Sequence, residues 1–246
     1  MTTESAGNNS EHEYDITDIL TISWNIFTKN YTHFFTIVFV IFFPAYLIVN
    51  YFFPRPEMFT MDLSEDNSFI WGMLIELFAG LVATLAVIFS VDDAYHNRPM
   101  ITKRAFAKTF ERLLPAFLTA IMAYMIILAG FVLIIPGIIA LIFLTFFLQA
   151  VALRDVWSMD ALRYSYYLVR NRFWKVLGYS IVFGLMSMLT GGTITLLADY
   201  ISSNEVITSV FYTLSSLVSA FFFIVFAVFF MNMDDTKDFE FADNAE

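Results

Sequence analysis

Long runs of apolar side chains, each close to the length of one membrane-spanning helix, dominate the chain. A bilayer core of ~30 Å needs about 20 apolar residues in helical form. The run 113–153 contains no charged residue and would form one helix of about 60 Å, so we expect a turn inside it. Pro136-Gly137 is the predicted turn, because proline and glycine interrupt helices. The predicted spans lie near 34–53, 68–91, 115–135, 137–153, 176–198 and 207–231.

This pattern predicts an all-α fold with about six transmembrane helices in three helical hairpins. One membrane domain is expected over 15–231, between an acidic N-terminal tail at 1–14 and an acidic C-terminal tail at 232–246. With 59% hydrophobic and only 15% charged residues, the chain is more apolar than a soluble domain. Basic and aromatic side chains recur at helical spacing beside three spans. Short amphipathic cytoplasmic helices at the interface are therefore predicted near 16–30, 102–113 and 159–171.

The basic residues are concentrated in two of the segments that connect the spans. Of the 13 Lys and Arg, five lie between the second and third spans and five between the fourth and fifth. With six spans, both segments and both termini fall on one side, which the positive-inside rule assigns to the cytoplasm. We therefore expect a multi-pass protein of the cytoplasmic (inner) membrane, with cytoplasmic N- and C-termini.

Some of these basic side chains are candidate contacts for lipid headgroups. A cation near an anionic leaflet contributes about 1 kcal/mol of attraction, although ordinary anchoring of basic loops explains the same pattern. The candidates are Lys103, Arg104, Lys108, Arg163, Arg170, Arg172 and Lys175. Membrane lipids are the expected partners, with another membrane protein or a homo-oligomer left open. Nucleic acid is not expected, because no basic face is interleaved with aromatic side chains to follow a phosphate backbone.

One ionisable residue, Glu76, lies deep within a predicted span. A carboxylate is costly in hydrocarbon, so we expect it to face the interior of the bundle or a wet cavity. A transporter would use Glu76 to carry a proton, whereas a structural Glu76 would donate a hydrogen bond to a neighbouring helix. Asn50 and Gln149 are further candidates for an intramembrane polar site. Pro44 is predicted to kink the first span.

Signatures of enzymes and of metal sites are missing from the sequence. It contains no cysteine, no His-Glu-x-x-His motif, no phosphate-binding loop and no nucleophile elbow. We therefore expect no catalytic residue, no metal and no cofactor.

Short motifs between positions 131 and 183 resemble those of a known membrane family. They are Ile135-Pro136-Gly137, Asp160-Ala161-Leu162-Arg163-Tyr164-Ser165 and Arg172-Phe173-Trp174-Lys175. The sequence resembles a prokaryotic six-helix family that includes the membrane domain attached to some glycerophosphoryl diester phosphodiesterases, and related stand-alone proteins of uncharacterised function. It departs from that family at Arg154-Asp155-Val156-Trp157, where an acidic residue followed by glycine is common, and it includes no phosphodiesterase domain. The resemblance implies a membrane fold and no catalytic residue.

Three classes of function remain open on these observations. The first is a non-enzymatic membrane protein that acts as a scaffold, a partner subunit or a lipid-interacting module. The second is a small transporter or proton-coupled permease that uses Glu76, and the third is a membrane immunity or resistance factor. Transport predicts a polar cavity at Glu76, whereas a scaffold predicts a dry interior packed with phenylalanine.

Overall fold

The computed structural model describes residues 15–53, 68–201 and 204–235, and its secondary structure is helical throughout these ranges. The helices are α1 (Ile16–Lys29), α2 (Tyr31–Phe52), α3 (Ser68–Tyr95), α4 (Thr102–Phe131), α5 (Ile135–Phe143), α6 (Phe147–Leu153), α7 (Met159–Arg170), α8 (Phe173–Ile201) and α9 (Glu205–Asp235). Six segments are long and apolar enough to cross a membrane: α2, α3, α4, α5 with α6, α8 and α9. The predicted all-α, six-span fold is confirmed.

Successive spans run in opposite directions, and this arrangement collects the basic side chains at one end of the bundle. Arg98, just after α3, bonds the Asp93 carboxylate at 3.0 Å, and Lys108 of α4 lies 3.7 Å from the same group. Tyr95 donates a hydrogen bond of 3.2 Å to Asp235 at the end of α9. We call this end of the bundle, where α3, α6 and α9 finish and α4 and α8 begin, the basic end.

Helix α9 lies at the centre of the bundle, where α2, α3, α8 and α1 all pack against it. Short polar side chains on α9 face α2. Asn50 donates a hydrogen bond to Ser209 at 2.9 Å, and the Tyr46 and Ser216 hydroxyls are 2.8 Å apart. Small hydroxyl-bearing residues let two spans approach closely and bond across the contact.

The reversal between the third and fourth spans occurs at 132–134, just before the predicted Pro136-Gly137 turn. Ile134 has a positive φ of 56°, and Pro136 lies in the first turn of α5. Proline suits that position, because N–H groups in the first helical turn have no acceptor within the helix. The N–H that proline lacks therefore costs no hydrogen bond. Gly137 serves close packing instead, since a Cβ added to it would lie 2.7 Å from the Phe131 nitrogen.

Two other boundaries differ from the sequence prediction. The short helix predicted over 102–113 is part of one continuous helix, α4, because small buried residues recur along a single face from Ala105 to Ala123 without a break. Residues 232–235, assigned from sequence to the acidic tail, form the end of α9, and the remaining tail residues lie outside the described ranges. Pro44 lies inside the uninterrupted α2, and its kink stays a prediction.

The fourth span is broken at 144–146, where one continuous helix is predicted, and a serine from α7 bridges the break. Ser165 donates a hydrogen bond to the Phe143 carbonyl at 2.7 Å and accepts one from the Phe146 N–H at 3.1 Å. Its side chain is fully buried. Backbone polar groups at membrane depth need protein partners, because hydrocarbon offers none. Helix α7, predicted to lie along the interface, thus also completes a span.

We expect Ser165→Ala to lower the free energy of unfolding by about 1–3 kcal/mol, because the Phe143 carbonyl and the Phe146 N–H both lose their buried partner. Reversible unfolding in mixed detergent micelles measures the change. The control is Thr190→Ala, whose exposed hydroxyl donates to the carbonyls of Met186 and Ser187 in its own helix. Equal losses in the two variants would contradict the bridging role.

Candidate functional site

A cavity of about 710 Å³ opens between α3, α4, α6 and α9 at the depth of the spans. Most of its wall is apolar, and aromatic rings from four of the spans contribute much of it. The aromatic residues in this wall include Phe78, Phe117, Tyr124, Phe147, Phe223 and Phe226. The volume falls within the range of ~300–1,000 Å³ that is usual for small-molecule sites. We call this space the apolar cavity.

Two of the three polar residues predicted within the membrane line this cavity. Glu76 reaches it from α3, and Gln149 reaches it from α6. The Gln149 Oε1 atom is buried and accepts no hydrogen bond from the described part of the chain. Asn50 lies elsewhere, between α2 and α9, where it bonds Ser209. The structure therefore joins Glu76 and Gln149 in one site and assigns Asn50 to helix packing.

A second, smaller space lies at the basic end, between α3, α4 and α6. It measures about 260 Å³ and is lined by two carboxylates and two cations, together with the Phe89 ring. These four charged residues are Asp92, Lys108, Glu111 and Arg112. We call this space the polar pocket. Three of the four, Lys108, Glu111 and Arg112, follow one another at helical spacing on α4, which is the sequence signal for a shared face.

The seven basic residues predicted to contact headgroups fall into two groups. Four are exposed on the outside of the bundle: Lys103, Arg104, Arg163 and Arg170. The others are partly buried. Arg172 donates to the Met233 carbonyl at 3.1 Å, Lys175 lies over the Tyr179 ring, and Lys108 lines the polar pocket. Two of the exposed residues also have contacts on their own helix, Arg163 with Asp160 at 3.9 Å and Arg170 with the Tyr167 ring.

A buried ion pair fastens the end of α9 to α7 and to the end of α6. Asp234 is only 6% exposed and accepts hydrogen bonds from Arg154 and from the Tyr164 hydroxyl. Burial, followed by the hydrogen bond to Asp234, raises the pKa of the Tyr164 phenol, so it keeps its proton and its donor role well into the alkaline range. Sequence reasoning missed this contact because Asp234 stands among the acidic residues of the tail.

We expect Asp234→Asn to lower the free energy of unfolding by about 2 kcal/mol, less than for a fully buried pair because Arg154 is half in solvent. Asp160→Asn is the matched control, since its pairing with Arg163 at 3.9 Å is exposed on both sides. That change is expected to cost less than about 0.5 kcal/mol. Unfolding curves of both variants in the same detergent make the comparison, and similar losses would contradict the assignment.

The fold and these two spaces define a polytopic α-helical membrane protein with six spans. A family model described as a domain of unknown function (DUF7847) matches residues 69–233, which is more than half of the chain, and the chain belongs to this family. The match runs from α3 into α9 and so includes both spaces. A search of the curated proteins and one of the solved structures returned no match. No link to glycerophosphoryl diester phosphodiesterases is shown.

No three His, Cys, Asp or Glu side chains are grouped closely enough to hold a metal ion anywhere in the described ranges. The chemistry available to the two spaces is therefore that of charged, amide and aromatic side chains. The apolar cavity can hold a hydrocarbon chain, and the polar pocket can hold a small charged group.

Proposed function

We propose that the protein is a non-enzymatic, lipid-interacting protein of the cytoplasmic membrane that holds one membrane lipid in the apolar cavity. The observation that carries the proposal is a space of about 710 Å³ at the depth of the spans, with a wall that is mostly apolar. Side chains that border an empty space lose the dispersion energy of the contacts that they would otherwise make there. In a bilayer, the acyl chains of lipids are the abundant molecules that restore those contacts.

The break in the fourth span supports this proposal. Thr145 in the break and Phe147, at the first position of α6, both line the apolar cavity. A straight fourth helix would carry these side chains in a different direction. Ser165 bonds two of the backbone groups at the break, the Phe143 carbonyl and the Phe146 N–H, and so helps to hold this shape. Such a stable irregularity beside a cavity is typical of a binding site in a membrane protein.

The orientation that we propose for the protein is supported by the distribution of its basic side chains. The basic end carries the loop residue Arg98 and the outward-facing Lys103, Arg104, Arg163 and Arg170. Cytoplasmic loops are enriched in such residues. The proposed orientation therefore places the basic end, the N-terminus of α1 and the C-terminus of α9 on the cytoplasmic side.

Gly80→Leu tests lipid occupancy of the apolar cavity. Gly80 lines the cavity, and a Cβ added there meets no heavy atom within 4 Å, so a leucine side chain can project into the space without a clash. We expect the purified variant to retain roughly tenfold less lipid, because the leucine occupies part of the volume that an acyl chain would fill. Native mass spectrometry after extraction into mild detergent counts the bound lipid.

Gly184→Leu is the matched control, because Gly184 on α8 is also open to an added Cβ and does not line the cavity. It is expected to retain lipid like the wild type. If the two leucine variants and the wild type all retain the same amount of lipid, the apolar cavity is not the binding site.

Proton-coupled transport is a second candidate, favoured by the position of Glu76 beside the buried Gln149 in one cavity. Proteoliposomes with an internal pH dye and an imposed proton gradient distinguish it from lipid binding. Under the lipid-binding proposal, wild type and Glu76→Gln dissipate the gradient at the rate of empty liposomes. A faster dissipation by the wild type that Glu76→Gln abolishes would establish transport instead.

A further inference from the structure

Gln149 brings a polar group without a partner into the wall of the apolar cavity. Its side chain is only 6% exposed, and its Oε1 atom accepts no hydrogen bond from any residue that the structure describes. Thr145, in the break just before α6, lines the same cavity, but its hydroxyl donates to the Leu141 carbonyl at 3.1 Å. A buried acceptor that lacks a donor is destabilising. The cavity therefore favours a ligand that supplies a hydrogen-bond donor at Gln149.

The side chains around the cavity disfavour an anionic group inside it. Of the described residues that line the cavity, none is a lysine, an arginine or a histidine, and Glu76 is a carboxylic acid. A phosphate there would have no cation beside it at the depth of the spans, where an unpaired charge is costly. The part of the ligand that lies in the cavity is therefore uncharged. A hydroxyl is the smallest uncharged group that donates a hydrogen bond.

We propose that the ligand of the apolar cavity is an uncharged lipid with a free hydroxyl group, which donates a hydrogen bond to the Gln149 Oε1 atom. The hydrocarbon part of this lipid contacts the aromatic side chains of the wall, among them Phe117, Phe147 and Phe226. Diacylglycerols and long-chain prenols share this chemistry. The inference rests on the lipid-binding function proposed above and names the class of lipid that is bound.

A matched pair of lipids tests the role of the hydroxyl. The full-length protein is placed in dioleoylphosphatidylcholine nanodiscs that contain equal small amounts of dioleoylglycerol and its methyl ether, which cannot donate a hydrogen bond. The lipids retained after extraction into mild detergent are quantified by mass spectrometry. Loss of one hydrogen bond to a buried group changes binding about tenfold, which corresponds to about 1.4 kcal/mol. We therefore expect the wild type to retain about tenfold more dioleoylglycerol than methyl ether.

Gln149→Leu is the decisive variant. Leucine is similar in size and offers no acceptor, so the ratio of dioleoylglycerol to methyl ether is expected to fall from about ten to about one. The variant is expected to fold, because it removes a buried polar group without a partner. Asn50→Leu is the matched control, since Asn50 bonds Ser209 and does not line the cavity, and Thr190→Val is a second control outside the cavity. Both are expected to keep the tenfold ratio.

A second pair of lipids, geranylgeraniol and its methyl ether, distinguishes the two sources of the hydroxyl. Preference for the alcohol in the glycerol pair alone assigns the site to glycerol lipids, and preference in the prenol pair alone assigns it to prenols. Preference in both pairs supports the shared chemistry. Equal retention within both pairs by the wild type, or a preference that survives in Gln149→Leu, overturns the hydroxyl assignment.

The outcomes separate this inference from the proposed function. If the wild type retains phosphatidylcholine in preference to dioleoylglycerol, relative to their amounts in the nanodisc, the uncharged ligand is wrong while lipid binding stands. If Gly80→Leu retains as much of every lipid as the wild type, the lipid-binding function itself fails.

Discussion

A protein that breaks a helix inside a membrane must supply its own partners for the freed backbone groups, and here Ser165 is the partner of two of them. Its hydroxyl donates to the carbonyl before the break in the fourth span and accepts from the N–H after it. Bulk hydrocarbon cannot replace either bond. The shape of the fourth span, and with it one wall of the apolar cavity, therefore depends on the position of α7.

Helix α7 is itself held by contacts at several points. The Ser158 N–H, just before α7, donates to the Thr119 hydroxyl of α4 at 2.7 Å, and Tyr164 donates to the buried Asp234 at the end of α9. Arg154 bonds the same carboxylate from the end of α6. These bonds connect three spans to one short helix. A change at the end of α9 can therefore reach the break through α7 without any contact at the cavity.

The apolar cavity and the polar pocket differ in their linings because of their positions in the bundle. Where α3, α4 and α6 lie at the depth of the spans, aromatic and aliphatic side chains line the apolar cavity. Towards the basic end, the same helices carry Asp92, Lys108, Glu111 and Arg112. Charged groups are tolerated there because that end meets the headgroup region and water. The segment of α3 between the two spaces, from Leu85 to Ile88, is fully buried, so packed side chains separate the cavity from the pocket.

Much of the fold can be predicted from the sequence, because hydropathy over a window of about 20 residues reports directly on membrane spans. The six spans are predicted in this way, and so are helices near the bounds of α1 and α7. The break at 144–146 cannot be predicted, because no glycine or proline marks it and the serine that bridges it comes from another helix.

The candidate site is only partly predictable, because it too depends on contacts between helices that are far apart in the sequence. Glu76 and Gln149 each stand out as polar residues in apolar runs, but periodicity does not encode which helices pair, so their shared cavity is invisible in the sequence. Asp234 is hidden by its acidic neighbours, although a helical reading of α9 through Asp235 would place it one turn past the buried Phe230.

The apolar cavity between α3, α4, α6 and α9 is proposed to hold one membrane lipid. An electron cryomicroscopy structure of the full-length protein in lipid nanodiscs, enlarged by a bound antibody fragment, tests this most directly. We predict elongated lipid density in the apolar cavity, in contact with Gln149. A cavity closed by side chains, with Gln149 bonded to another protein group and no lipid between these helices, would contradict the proposal.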